Sequence, residues 1–219
     1  MSKNGKKPLI QKYDFANPVI PISKTRVPAI DFIHQLFIAY LKDDLPHHLG
    51  EGIKIKEGEG QRLARYGEWI KSITDPVVIS AVKCGHGGSF LMMTNEVLNY
   101  EMLGSLLGSD YKKHDNRNRT KSLNPTKLER AMFLRVHQDL SQRLVTSWQR
   151  AYPLRILIDR LETSPSLLMI FDKNCVLNIS SCQVNIASDK IGQITVIYPY
   201  PLLEGEVMAR GLEELGESI

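Results

Sequence analysis

The sequence predicts an α/β domain of the α+β kind, a mostly antiparallel sheet with helices packed on its faces. Three observations carry this expectation. After Pro153 the apolar-rich β runs follow one another with no helical stretch between them, and strands joined without crossover helices pair antiparallel. Two segments, one from Pro28 and one from about Thr126, carry apolar residues at helical spacing. Two β-rich runs, Val77–Lys83 and Ser89–Thr94, flank Cys84-Gly85-His86-Gly87-Gly88, a hairpin with a glycine-rich turn. A chain of 219 residues with 42% hydrophobic and 24% charged residues holds one ordinary core plus extensions.

Taken in order, residues 1–26 read as an extended arm, because Pro8, Pro18 and Pro21 disfavour helix at or just before each position. Its apolar residues, among them Leu9, Ile10, Tyr13, Phe15 and Ile20, are dense for a solvated tail. The arm therefore packs on its own domain or on a neighbour. From Pro28, the residues Ile30, Ile33, Phe37, Tyr40, Leu41 and Leu45 form one helical stripe, which Pro46 and Gly50 stop. A short strand from Gly52 to Lys56, a turn at Gly58-Glu59-Gly60 and a second helix through Leu63, Tyr66, Ile70 and Ile73 follow. After the hairpin, Thr94 is placed to cap a helix over 95–107, with Gly108 just past its end.

Residues 109–122 are polar apart from Tyr111 and read as a surface loop. Asn124-Pro125 opens the longest helix, to about Tyr152, with Leu128, Met132, Val136, Leu140, Leu144 and Trp148 along one face. Strands are expected at 154–161, 167–171, 175–187 and 191–198. The expected organisation is an arm over 1–26, a domain over 27–205 and a C-terminal tail over 206–219. A helix followed by strands occurs before and after the polar loop, which suggests a pseudo-duplicated fold.

Several function classes lose support at this stage. No apolar h-region follows the basic N-terminus, and no stretch approaches the ~18 apolar residues of a membrane span, so a cytoplasmic protein without direct membrane insertion is expected. Cys84, Cys175 and Cys182 are odd in number and lack C-x-x-C spacing, as in a reducing compartment. Cys84 and His86 have no second pair at ligand spacing, so neither a metal nor a cofactor is expected. The glycine turn at 85–88 precedes a strand, not a helix N-terminus that would receive an anion. Lys112, Lys113, Arg117, Arg119 and Lys121 make the loop basic. With a single aromatic it lacks the stacking platform of a nucleic-acid groove, and it suits steering of an acidic partner face.

Six landmarks in this order resemble the flagellar motor switch FliM family, in its middle domain, a module shared more distantly with the chemotaxis phosphatases CheC and CheX. Tyr13-Asp14-Phe15 followed by Pro18 resembles the family's entry segment, and 33–41 resembles its first helix. Leu103-Gly104-Ser105-Leu106-Leu107-Gly108 falls where the family has an apolar helix ending in a G-G-x-G loop. Trp148 and Glu162-Thr163-Ser164-Pro165 resemble its long-helix tryptophan and strand exit, and 197–204 its closing segment. The resemblance spans about residues 10–205.

The resemblance implies a non-enzymatic subunit of the motor-switch ring (the C-ring) at the cytoplasmic face of the inner membrane, controlling rotation in chemotaxis. It implies FliG and neighbouring copies as partners, with FliN and phosphorylated CheY as further candidates. The FliG contact corresponds to Gly108, Ser109, Asp110 and Tyr111, where one glycine of the family's three remains. The family's N-terminal CheY-binding peptide and C-terminal FliN-like domain have no counterpart in these 219 residues. The alternative is a CheC/CheX-type phosphatase acting on phosphorylated CheY through an E-x-x-N helix motif. Glu96 and Asn99 match that spacing, but Met92 stands where the motif wants Asp or Ser, so the pair reads as an ordinary solvated helix face.

Overall fold

The computed structural model describes residues 27–50, 52–58, 60–85, 87–108, 124–187 and 190–217. The expected arm at 1–26 and the whole of the expected polar loop at 109–122 lie outside them. The chain builds one seven-stranded sheet, antiparallel at every pairing, in the order β1-β6-β7-β4-β3-β5 with β2 also on β6. Its strands are β1 (Lys54–Glu57), β2 (Arg62–Arg65), β3 (Val77–Cys84), β4 (Ser89–Asn95), β5 (Ile156–Glu162), β6 (Val176–Ala187) and β7 (Lys190–Pro199). The helices are α1 (Pro28–Leu49), α2 (Tyr66–Ser72), α3 (Glu96–Leu106), α4 (Lys127–Trp148), α5 (Tyr200–Leu203) and α6 (Glu206–Glu217).

The strand order carries an internal symmetry. Exchange β1 with β5, β3 with β6 and β4 with β7, and the order reads the same backwards. The two hairpins, β3–β4 and β6–β7, meet at the β4–β7 pair (Leu91 opposite Ile197), and each half lends its first strand to the other half's edge. The helices that open the two halves, α1 and α4, pack together. This is the pseudo-duplication expected from the sequence.

One face of the sheet buries the larger core under α1, α3, α4 and α6, with Phe37, Leu41, Phe90, Leu98, Val136 and Trp148 at its centre. The other face is covered by α2 and the segment after β5, with Tyr66, Trp69, Leu91, Leu168 and Ile197 packed together. Cys84 and Cys182 are buried and all three cysteines are free. Among the described residues, no helix is long and apolar enough to cross a membrane.

Several element boundaries differ from expectation. Residues 62–65, expected in a helix, form β2, because Arg62 to Arg65 pair with Ile179 to Val176, and ladder bonds outweigh weak local helix preference. Residues 167–171 are not a strand. A 3-10 turn, Pro165–Leu167, directs Leu168 inward instead, and the Tyr66 hydroxyl donates to the Leu168 carbonyl. Pro46 lies inside α1, which ends at Gly50. Asn95 caps α3, not Thr94. Thr126 caps α4 with Glu129 in a reciprocal capping box.

The 206–219 segment, read as a tail, forms α6 over Glu206–Glu217, whose Leu212 and Leu215 are buried in the main core. Gly211 permits that seat, since a Cβ there would lie 2.2 Å from the Ala151 carbonyl oxygen. Gly211→Val is expected to lift α6 and cost about 1–3 kcal/mol. Limited trypsin digestion should then cut after Arg210 well before the parent chain is cut, and equal cutting rates would reject this account of the seat.

Candidate partner-binding surface at the end of α3

The α3 helix begins at Asn95, whose Oδ1 accepts from the Leu98 and Gln193 amides at 3.2 and 2.9 Å while its Nδ2 donates to the Ile191 carbonyl at 2.9 Å. One side chain thus caps the helix and ties its start to β7. At the far end Leu107 donates to Leu103 and Gly108 to Ser105, both at 3.0 Å. Gly108 takes φ +65°, a left-handed conformation that costs glycine least. Among the described residues, a Cβ on Gly108 would meet nothing within 4 Å. Leu106, Leu107 and, from the first turn of α4, Leu128 are exposed at 38%, 54% and 63%. The sequence therefore delivers an apolar, glycine-ended corner. Of the four candidate contact residues the structure places Gly108 at this corner, and Ser109, Asp110 and Tyr111 lie outside the described residues.

The corner is held by polar groups inside the core. Asn99 Nδ2 donates to Thr94 Oγ1 at 2.6 Å and to the Asn95 carbonyl at 2.8 Å. Thr94 Oγ1 lies 2.8 Å from His137 Nε2, and His137 Nδ1 lies 2.8 Å from Ser80 Oγ. Ser80 in turn donates to the Met92 carbonyl at 3.4 Å. A neutral His137 protonated on Nδ1 satisfies the whole chain in one direction, from Asn99 through Thr94 and His137 to Ser80. Burial pushes His137 down from its ordinary 6.5 to about 3, which keeps that neutral form. The chain joins α3 (Asn99) to α4 (His137) across β3 and β4, so both helices flanking the polar loop are fixed to the sheet.

Asn99 is fully buried, which corrects the reading of Glu96 and Asn99 as a solvated face. Its two amide protons are engaged, and Oδ1 has no partner among the described residues. An amide enclosed in this way does not meet a phosphoryl group or an attacking water. Sequence reasoning also missed His137 and Ser141 on the buried face of α4. The faint signal was helical spacing, with His137 three residues before Leu140 and Ser141 three before Leu144. The loop at 85–88 is a hairpin turn, with Gly87 and Gly88 at φ +92° and +81° and Cys84 paired to Gly88 at 3.1 Å. His86 lies outside the described residues. Among the described residues no three His, Cys, Asp or Glu side chains group as metal ligands.

A duplicated antiparallel sheet with paired opening helices, and a glycine-ended corner at the end of α3, define an α/β domain of the FliM middle-domain type. Solved structures agree on that fold. The FliM middle domain from Helicobacter pylori superposes with TM-score 0.71 at 17% identity, covering 86% of this chain and 99% of that one. A chain of the FliG–FliM complex from H. pylori gives TM-score 0.69 at 18% identity, covering 81% and 94%. The model of the family "Flagellar motor switch protein FliM" matches residues 23–210, and the chain belongs to that family. The flagellar motor switch protein FliM of Caulobacter vibrioides is 20% identical over 184 residues, 84% of this chain and 48% of that protein. The chain thus spans about half the length of the curated relatives it matches.

Proposed function

We propose that this domain is a non-catalytic ring subunit of the flagellar motor switch, acting on the cytoplasmic side. It holds FliG at the corner formed by Gly108, Ser109, Asp110 and Tyr111, and packs against copies of itself through helix faces. The observation that carries this reading is the positive-φ Gly108 that ends α3 directly after the exposed Leu106 and Leu107. A left-handed glycine carries no side chain, which lets a partner's backbone approach closely, and exposed leucines supply apolar area at such a contact. The hydrogen-bonded chain behind it presents the corner as a fixed surface, which limits the ordering cost on binding. Tilting of the body, biased by phosphorylated CheY, would then be passed to FliG, with FliN a further neighbour. The family membership and the FliG–FliM complex formed by a relative support this reading. The phosphatase alternative loses its mechanism with Asn99 enclosed.

Calorimetry with FliG from the same genome tests the proposal. Gly108→Arg should weaken binding at least about tenfold, ~1.4 kcal/mol. Gly108→Asn, which tolerates positive φ, should stay near the parent. Equal loss in both variants would mean that backbone strain, not contact, is being measured. No binding by the parent chain removes the FliG assignment.

A further inference from the structure

Beneath the β3–β4 turn, at the end of the sheet where β3 and β7 finish and β4 and β6 begin, the body carries an open groove of about 990 Å³. Its walls include Gly87 and Gly88 of the turn, Leu154, Phe171, Cys175 and Leu202. We infer that this groove is the docking site for the chain's own N-terminal segment, residues 9–22. The sequence of that segment, Leu9 to Ile22, carries Ile10, Tyr13, Phe15, Val19 and Ile20 together with Pro18 and Pro21. Prolines hold a chain in the extended form that an open, largely apolar groove accepts, at low ordering cost.

The entry point places the segment there. Gln61 clamps the backbone of Val27, accepting from its N–H at 3.0 Å and donating to its carbonyl at 2.6 Å. Asn178 donates to the same Gln61 oxygen at 2.5 Å. Gln61 and Asn178 are both buried, so the clamp is a built feature. Asn178 stands opposite Tyr198 in the β6–β7 ladder, one residue from Pro199 and three from Cys175, two of the groove residues. Seven residues into α1, His34 bonds the Ser181 carbonyl at 3.2 Å, so α1 runs up β6 away from the groove. Val27, the first described residue, therefore stands at the groove's end of the sheet. Three strand residues span about 10 Å, and residues 20–26 can reach twice that when extended.

Cys175 provides the readout, because it is partly exposed in the groove wall, whereas Cys84, which also lines the groove, and Cys182 are buried; burial raises all three thiols, Cys84 to about 11 and Cys182 to about 12. In the full-length chain, N-ethylmaleimide labelling of Cys175 should run about tenfold faster once Tyr13→Ser, Phe15→Ser and Ile20→Ser are combined, the ratio that ~1.4 kcal/mol of occupancy gives. An unchanged rate overturns the inference. Protection that grows with chain concentration also overturns it, by assigning the groove to a neighbour's segment. Because labelling rate also responds to loosened packing, a photo-crosslinker replacing Phe15 in the otherwise intact chain gives a second measurement. Within the monomer fraction it should join residues 170–175 or 199–205. Crosslinks confined to other positions reject the assignment.

Discussion

Trp148→Ala is expected to lower unfolding stability by about 3–5 kcal/mol, the usual cost of deleting a fully buried large aromatic. Trp148 ends α4 with none of its surface exposed. Its indole Nε1 donates to the Tyr198 hydroxyl at 2.9 Å, and the two rings meet edge to face at 5.5 Å and 67°. Phe90 also packs against Tyr198, with ring centroids 5.4 Å apart. Removing the indole therefore opens a cavity and leaves a buried phenol without its donor, which adds to the transfer cost. Trp148→Phe keeps most of the apolar area and should lose roughly half as much. Urea titrations would show this as a fall in midpoint with unchanged slope. A loss under 1 kcal/mol for the alanine variant would show that the neighbours collapse into the space. Because α4 carries the far end of the polar loop, the alanine variant should also weaken FliG binding under the proposed function.

Mild acid should destabilise the domain through His137. Its folded value is lowered to about 3 by burial, against about 6.5 in an unfolded chain. The unfolded state thus takes up a proton that the folded state refuses. Stability is complete above about pH 6.5 and falls as pH drops toward 3, at up to about 1.4 kcal/mol per unit. Roughly 2 kcal/mol should be lost between pH 7 and pH 5 from this residue alone. His34 is shifted in the same direction, first by burial and against the Ser181 carbonyl, Glu57 and Asp31, which favour its charged form. The physical reason at His137 is specific. A protonated ring would donate from Nε2 to Thr94 Oγ1, which already accepts from Asn99, and would leave the threonine proton without an acceptor. His137→Gln should flatten the slope between pH 7 and 5 to what His34 contributes, at some cost at neutral pH. A slope as steep as the parent's would place the acid sensitivity elsewhere.

Much of the fold was legible because it is written in local pattern. Pro28 and Gly50 bracket α1, and its stripe at Ile30, Ile33, Phe37, Leu41 and Leu45 is buried as the spacing demands. The glycine turn at 85–88 and the strand runs after Pro153 gave the hairpin and the antiparallel sheet. On α4 the expected four-residue spacing was too coarse. Steps of four advance about 40° past each full turn, so Leu128 rotates out to 63% exposure while Phe133, His137 and Ser141 rotate in. Gly108 could be singled out from sequence because a positive-φ helix end prefers that residue. The polar chain behind it could not, because Ser80, Thr94, Asn99 and His137 are spread over four elements and each alone looks like a surface residue.

The sequence by itself determined most of the elements, their antiparallel pairing, the glycine at the end of α3 and the family, since these depend on short-range periodicity, turn chemistry and the order of landmarks. Only the tertiary structure decided that Arg62–Arg65 is a strand, that Leu167–Phe171 is not, that residues 206–217 pack as a helix, and that Asn99 is enclosed. Each of those outcomes depends on a partner far along the chain: β6 for Arg62–Arg65, Tyr66 for Leu168, the Ala151 carbonyl for Gly211, and Thr94 with His137 for the amide. Local preference at these positions is worth a few tenths of a kcal/mol, and a ladder, a buried leucine or a satisfied buried polar group is worth more.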